Sequence, residues 1–171
     1  GAALRKREVS LEEARALHKK MLILDGHNDT PVERVARKEF PFRWKERDPT
    51  YHTDIPKMHE GGYDGGFMIV GNGPTANIWI TTEQTMEQVE MYPDDLMLVL
   101  SSKDAVTAGK TGRIGIMLSI EGAGRWLEGK VELLGIYHRL GFRAVGITHG
   151  EGGSEPTQLQ GSRSPYGPCK P

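Results

Sequence analysis

At 171 residues, 37% of them apolar and 26% charged, the chain is long enough to bury the core of one domain. Its net charge of −1 gives no global field directed at nucleic acid or a membrane surface; no run approaches the ~20 apolar residues of a membrane span, and no charged-then-apolar leader is visible in a chain that begins with Gly rather than Met. The single cysteine, Cys169, excludes an intramolecular disulfide framework, and no compartment follows from these numbers.

Ser10-Leu-Glu-Glu13 has the spacing of a capping box and predicts a helix to about Lys19. Met21–Asp25 reads as the first strand, and Pro31 opens a helix to about Lys38. The aromatic, charged and Pro-punctuated stretch from Phe40 to Thr53 reads as a loop over the sheet end. Ile55–Glu60 is a short helix closed by Gly61-Gly62. Phe67–Val70 is the second strand, broken by Gly71-Asn72-Gly73-Pro74. Thr81–Tyr92 is predicted helical, with Thr81 and Gln84 able to form a second capping box. A short apolar run at Leu96–Leu100 and a short helix at Lys103–Ala108 follow. Ile114–Ile120 is a strand ending in Glu121-Gly122. Lys130–Leu140 is amphipathic, with Val131, Leu134, Tyr137 and Leu140 close to one face, and Ala144–Thr148 is the last strand, ending in His149. The Gly/Ser/Pro-rich tail 151–171 has too few apolar residues to bury and is expected to hold no fixed structure, leaving 1–150 as the folded unit.

Alternating strands and helices imply parallel strands joined by right-handed crossovers. The carboxyl ends of such strands share one face, where active sites sit. Three predicted strands end in ligand-type residues: His27 and Asp29 on the first, Glu121 on a later one, His149 on the last. Residues two apart on a strand point the same way, so an imidazole and a carboxylate can converge on a divalent metal. Each residue also has a structural alternative: a polar turn for His27 and Asp29, a turn carboxylate for Glu121, and a capping or core histidine for His149. His18, His52, His59 and His138 fall on predicted helix or loop surfaces, and Met58, Met68, Met91 and Met97 read as core filler. Gly71-x-Gly73 lacks the further glycine and helix of a dinucleotide fingerprint.

Four segments, in order, resemble the membrane (renal) dipeptidases, zinc peptidases of the amidohydrolase superfamily. They are Asp25-Gly-His-Asn-Asp29 with Pro31; Thr53-Asp-Ile-Pro-Lys-Met58 with Gly61-Gly62 and Phe67; Ser119-Ile-Glu-Gly122; and Tyr137-His-Arg-Leu-Gly-Phe-Arg143 leading to Thr148-His149. The resemblance implies the amino-terminal portion of a (β/α)8 barrel. It assigns His27 and Asp29 to a first zinc, Glu121 to the bridge between two zincs, and His149 to the carbonyl oxygen of a dipeptide substrate. The chemistry implied is hydrolysis of the peptide bond by water activated between the two ions. The sequence departs from the family pattern at Gly122-Ala123-Gly124-Arg125 and Gly150-Glu-Gly-Gly153. Such a barrel needs about 250 residues, and the family's two further histidines and its proton-handling aspartate lie beyond the matched region. The expectation for this polypeptide is therefore at most one zinc, loosely held, and little or no turnover. Two other readings stand beside it. One is a non-catalytic half barrel acting through metal binding or partner association, a homodimer included, because unpaired strand edges favour association. The other is a related amidohydrolase acting on another amide or a lactam.

Overall fold

The computed structural model describes residues 8–36, 43–71, 75–127 and 129–147; the tail 151–171 and His149 lie outside them. The first helix, α1 (Leu11–His18), is closed by the expected capping box: Ser10 Oγ accepts the Glu13 N–H at 3.1 Å, and Glu13 Oε2 accepts the Ser10 N–H at 3.1 Å. None of its residues is buried.

The first strand, β1 (Leu24–Asn28), begins three residues later than its apolar run suggests. Strand limits follow the partner: pairing opens at Leu24 opposite Gly65, the first residue of β2 (Gly65–Gly71). Just before it, Ile23 and Asp64 are tied by Asp64 Oδ2 accepting the Ile23 N–H at 2.7 Å. The later start carries His27 into the strand itself. Asn28 Oδ1 accepts the Thr30 N–H at 3.1 Å and turns the chain into α2 (Thr30–Ala36). The predicted extension of that helix to Lys38 lies outside the described residues. Between 43 and 53 the chain forms turns and bends, as expected of a loop. Trp44, fully buried, anchors this segment by donating its N–H to Gln88 Oε1 at 2.9 Å.

Asp54 caps α3 (Ile55–Gly61) by accepting the Lys57 N–H at 2.8 Å, and Gly62, at φ 67°, closes it in the left-handed region. The next helix, α4 (Thr75–Met91), starts six residues before the predicted capping box. Thr81 lies inside it and donates its hydroxyl to Asn77 O at 2.7 Å, a bond back along the helix that satisfies the side chain without a cap. Then come β3 (Leu96–Leu98), α5 (Ser102–Thr111) and β4 (Ile114–Ile120), the last with its predicted bounds. A short helix the sequence did not announce, α6 (Ala123–Leu127), follows β4. The predicted amphipathic helix is confined to α7 (Leu133–Arg139): Tyr137 is buried, but Val131 precedes the helix, Leu140 is its C-cap, and both are exposed. The last described strand, β5 (Phe142–Val145), starts two residues early because its partner β4 is available there.

All pairings are parallel: β1 with β2, β2 with β4, and β4 with both β3 and β5. A strand has two hydrogen-bonding edges. Because β2 runs along one edge of β4 for its whole length, β3 and β5 divide the other, β3 beside 114–116 and β5 beside 118–120. Four strands thus lie side by side in the order β1-β2-β4-β5, with β3 filling the lower part of the last seam.

Side chains alternate across β4. Ile114 and Ile116 join Trp44, Ile55, Met58, Met68 and Leu96; Leu118 and Ile120 join Val70, Ile78, Trp126, Tyr137 and Phe142. These clusters tie one face of the sheet to the helical layer. On the opposite face Met117 packs with Phe67, Val99 and Ala105 of α5. Gly115, without a side chain, lets α5 come close: a Cβ there would lie 3.6 Å from that of Ala108. Helix α5 therefore covers the amino-terminal end of this face, and the carboxyl-terminal end is left to Ser119 and Glu121.

Candidate metal centre

Glu121 is the first residue past β4, and His27 and Asp29 lie at the carboxyl end of β1, two strands away. The sheet brings them together. His27 Nε2 is 3.4 Å from Asp29 Oδ1 and 3.3 Å from Glu121 Oε2. One ligand atom from each residue lies within 4.8 Å of the other two. All three residues on described segments that the sequence singled out thus converge; His149 lies outside the described residues.

The backbone holds Glu121 firmly. Its N–H donates to Gly71 O at 3.0 Å, and its carbonyl accepts the indole N–H of Trp126 from α6 at 2.7 Å. Behind it, Gly146 leaves room: a Cβ there would sit 3.3 Å from Glu121 Cα and Cβ. The Glu121 side chain is 9% exposed, whereas His27 and Asp29 are 49% and 44% exposed. The site therefore has a buried carboxylate at its base and two ligands at its rim.

Asp29 Oδ1 is shielded from solvent and accepts no hydrogen bond among the described residues. A buried carboxylate oxygen without a donor is costly to maintain, and two carboxylates this near repel unless a cation stands between them. One imidazole and two carboxylates form a donor set that suits zinc and similar divalent ions. The residues present fit a metal ion.

The chain is also similar to known proteins. The family model for membrane dipeptidase, peptidase family M19, matches residues 11–155. The chain belongs to that family. Among curated relatives, Dipeptidase verJ of Clonostachys rogersoniana is 26% identical over 161 residues, covering 82% of this chain and 41% of that protein. Among solved structures, the dipeptidase AC, a metallo peptidase of family M19, superposes with a TM-score of 0.65 at 19% identity, over 74% of this chain and 42% of that one. A metallo peptidase from Rhodobacter sphaeroides, liganded with a phosphinate mimic of the dipeptide L-Ala-D-Ala, superposes with a TM-score of 0.66 at 18% identity, over 74% of this chain and 45% of that one. This member of the dipeptidase family therefore spans less than half the length of these relatives, and its parallel sheet corresponds to the amino-terminal part of their barrel-like fold. Among its described residues no helix is long and apolar enough to cross a membrane.

Sequence reasoning gave no role to Asp25, whose Oδ1 accepts the His27 N–H at 3.0 Å. The available signal was a carboxylate inside an otherwise apolar strand pattern, two residues before a ligand candidate.

Proposed function

We propose that this chain carries the amino-terminal part of a zinc-dependent dipeptidase centre, in which His27, Asp29 and Glu121 hold one metal ion. The observation that carries the reading is the convergence of these three side chains, with Asp29 Oδ1 shielded and accepting no hydrogen bond among the described residues. Zinc, when bound there, would supply Lewis acidity for peptide hydrolysis. His27 offers an imidazole nitrogen. Asp29 and Glu121 offset the cation's charge, and the burial of Glu121 keeps water from competing with its carboxylate. His149 is assigned to the substrate's carbonyl oxygen, segment 1–150 to the partial barrel, and 151–171 to a tail with no part in the centre. Dipeptides are the substrate class; another amide or a lactam would use the same three ligands. The further ligands and proton carrier of a complete centre are assigned to the part of the relatives that this chain does not span, so the 171-residue chain should turn over little or no dipeptide.

Calorimetric titration with Zn2+ tests the assignment. The chain should take up no more than one equivalent, and His27→Ala should abolish uptake; unchanged binding by the variant would sink the site. Sustained hydrolysis of a dipeptide panel by the zinc-loaded chain would overturn the expectation of inactivity. A second reading, association through the sheet edges, is favoured by one observation: among the described residues β1 pairs with β2 alone, and Leu24 on it is 42% exposed.

A further inference from the structure

The last residues of β1 do not follow the regular ladder. Asp25 stands opposite Gly66 and Asn28 opposite Met68, so a step of three residues on β1 matches a step of two on β2. Gly26 and His27 form a bulge, a device that re-aims a side chain and frees backbone groups from pairing. The freed N–H of His27 is taken by Asp25 Oδ1 at 3.0 Å. The other oxygen, Asp25 Oδ2, is itself held from two sides, by Asn28 Nδ2 at 3.2 Å and by the Tyr63 hydroxyl at 3.3 Å. Asn28 passes the restraint onward, because its Oδ1 accepts the Thr30 N–H at 3.1 Å. Asp29 is thus bracketed between two tethered neighbours. The Tyr63 hydroxyl reaches Asp25 through a space that only glycine leaves: a Cβ on Gly66 would fall 1.9 Å from that oxygen.

We infer that Asp25, braced by Tyr63 across Gly66 and by Asn28, is a positioning residue that clamps the β1 bulge and so sets the direction of His27 and Asp29 toward Glu121. The inference rests on the metal-centre reading but concerns residues that touch no ion. Its chemistry is preorganisation: rigid support for ligand side chains raises metal affinity because less ordering is left to the binding step. Asp25 contributes through the backbone of His27, not through its imidazole, so the effect should follow its ability to accept a hydrogen bond more than its charge.

Two readouts separate the clamp from the metal site. The first is Zn2+ affinity, with the visible absorption of the Co2+-loaded chain reporting ligand geometry. The second is exchange of the His27 backbone amide in the metal-free chain, followed by NMR. Asp25→Ala should weaken Zn2+ binding by roughly 10-fold or more, the scale of a lost ligand-supporting contact, alter the Co2+ spectrum and speed His27 amide exchange. Tyr63→Phe, which keeps the ring and removes only the hydroxyl, should act in the same direction by less. Asp25→Asn retains an acceptor for the His27 N–H and should restore most of both signals. If wild type binds zinc, and Asp25→Ala and Tyr63→Phe match it in affinity, spectrum and His27 exchange, the inference is overturned while the metal reading stands. If wild type takes up no zinc, the metal reading falls and takes the proposed role of the clamp with it. His27 exchange that stays at the wild-type rate in Asp25→Ala overturns the clamp in either case.

Discussion

Single residues show how this chain meets the cost of burying charge. Asp54 is fully buried at the start of α3, accepting the N–H of Lys57 at 2.8 Å and that of Asp48 at 3.1 Å, with the Lys57 ammonium 2.9 Å away. Burial opposes its ionisation, but these hydrogen bonds and the Lys57 charge outweigh it and hold its pKa below the ordinary 3.8. At Asp95, the hydrogen bond from Lys45 is the largest cause of a shift in the same direction; burial opposes it, and the charge of Lys45 and the contact with His59 add to it. A carboxylate whose pKa is lower folded than unfolded binds protons first in the unfolded chain. Its contribution to stability is complete above the unfolded value and is lost as pH falls through the folded one. The urea midpoint of the metal-free chain should therefore hold steady down to about pH 5 and decline as pH drops below about 4. A midpoint at about pH 3 equal to that at neutrality would contradict this account of Asp54 and Asp95.

At the scale of elements, close approach of backbones decides what β2 and β4 tolerate. A Cβ on Gly65 would lie 2.7 Å from Gly115 O and 3.1 Å from Gly115 Cα, backbone atoms of the neighbouring strand that cannot rotate aside. A Cβ on Gly115 would meet Val99 Cγ2 at 2.8 Å, the end of a side chain that can turn. Gly65→Ala should accordingly destabilise more than Gly115→Ala, by about 1–3 kcal/mol as overpacking does, in urea unfolding of the two variants; equal midpoints would refute the distinction. The same scale explains what could be read in advance. β4 was legible to the residue because its apolar run, Ile114–Ile120, is buried on both faces and flanked by Gly112 and Glu121. β1 was displaced because an apolar run states only that a segment is buried, while its pairing limits belong to β2. α4 was cut short because a Thr-x-x-Gln spacing fits a cap equally well inside a helix, where Thr81 bonds backward. The three ligand candidates were legible because each is local to a strand end. The clamp was not, because Tyr63 is 38 residues from Asp25 and the bulge exists only in the register between two strands.

At the scale of the molecule, an eight-stranded closed sheet has no edges, whereas among the described residues four strands in a row leave two. On the β1 side the exposed apolar residue Leu24 lies along that edge, with Leu17, Met21 and Leu22, also exposed, in the segment leading into it. Unpaired parallel edges beside apolar surface invite another chain, so the weight-average mass in sedimentation should rise with concentration. A monomer mass at every concentration would dismiss association through these edges. The division of one edge of β4 between β3 and β5 has a further consequence, for the order of synthesis. Among the described residues β3 shares no backbone pairing with β1 or β2; in the sheet, β4 is the strand that pairs with both β2 and β3. On the ribosome, the growing polypeptide would hold β3 beside β1–β2 through side-chain packing on α4, and the continuous sheet would close when Ile114–Ile120 emerges.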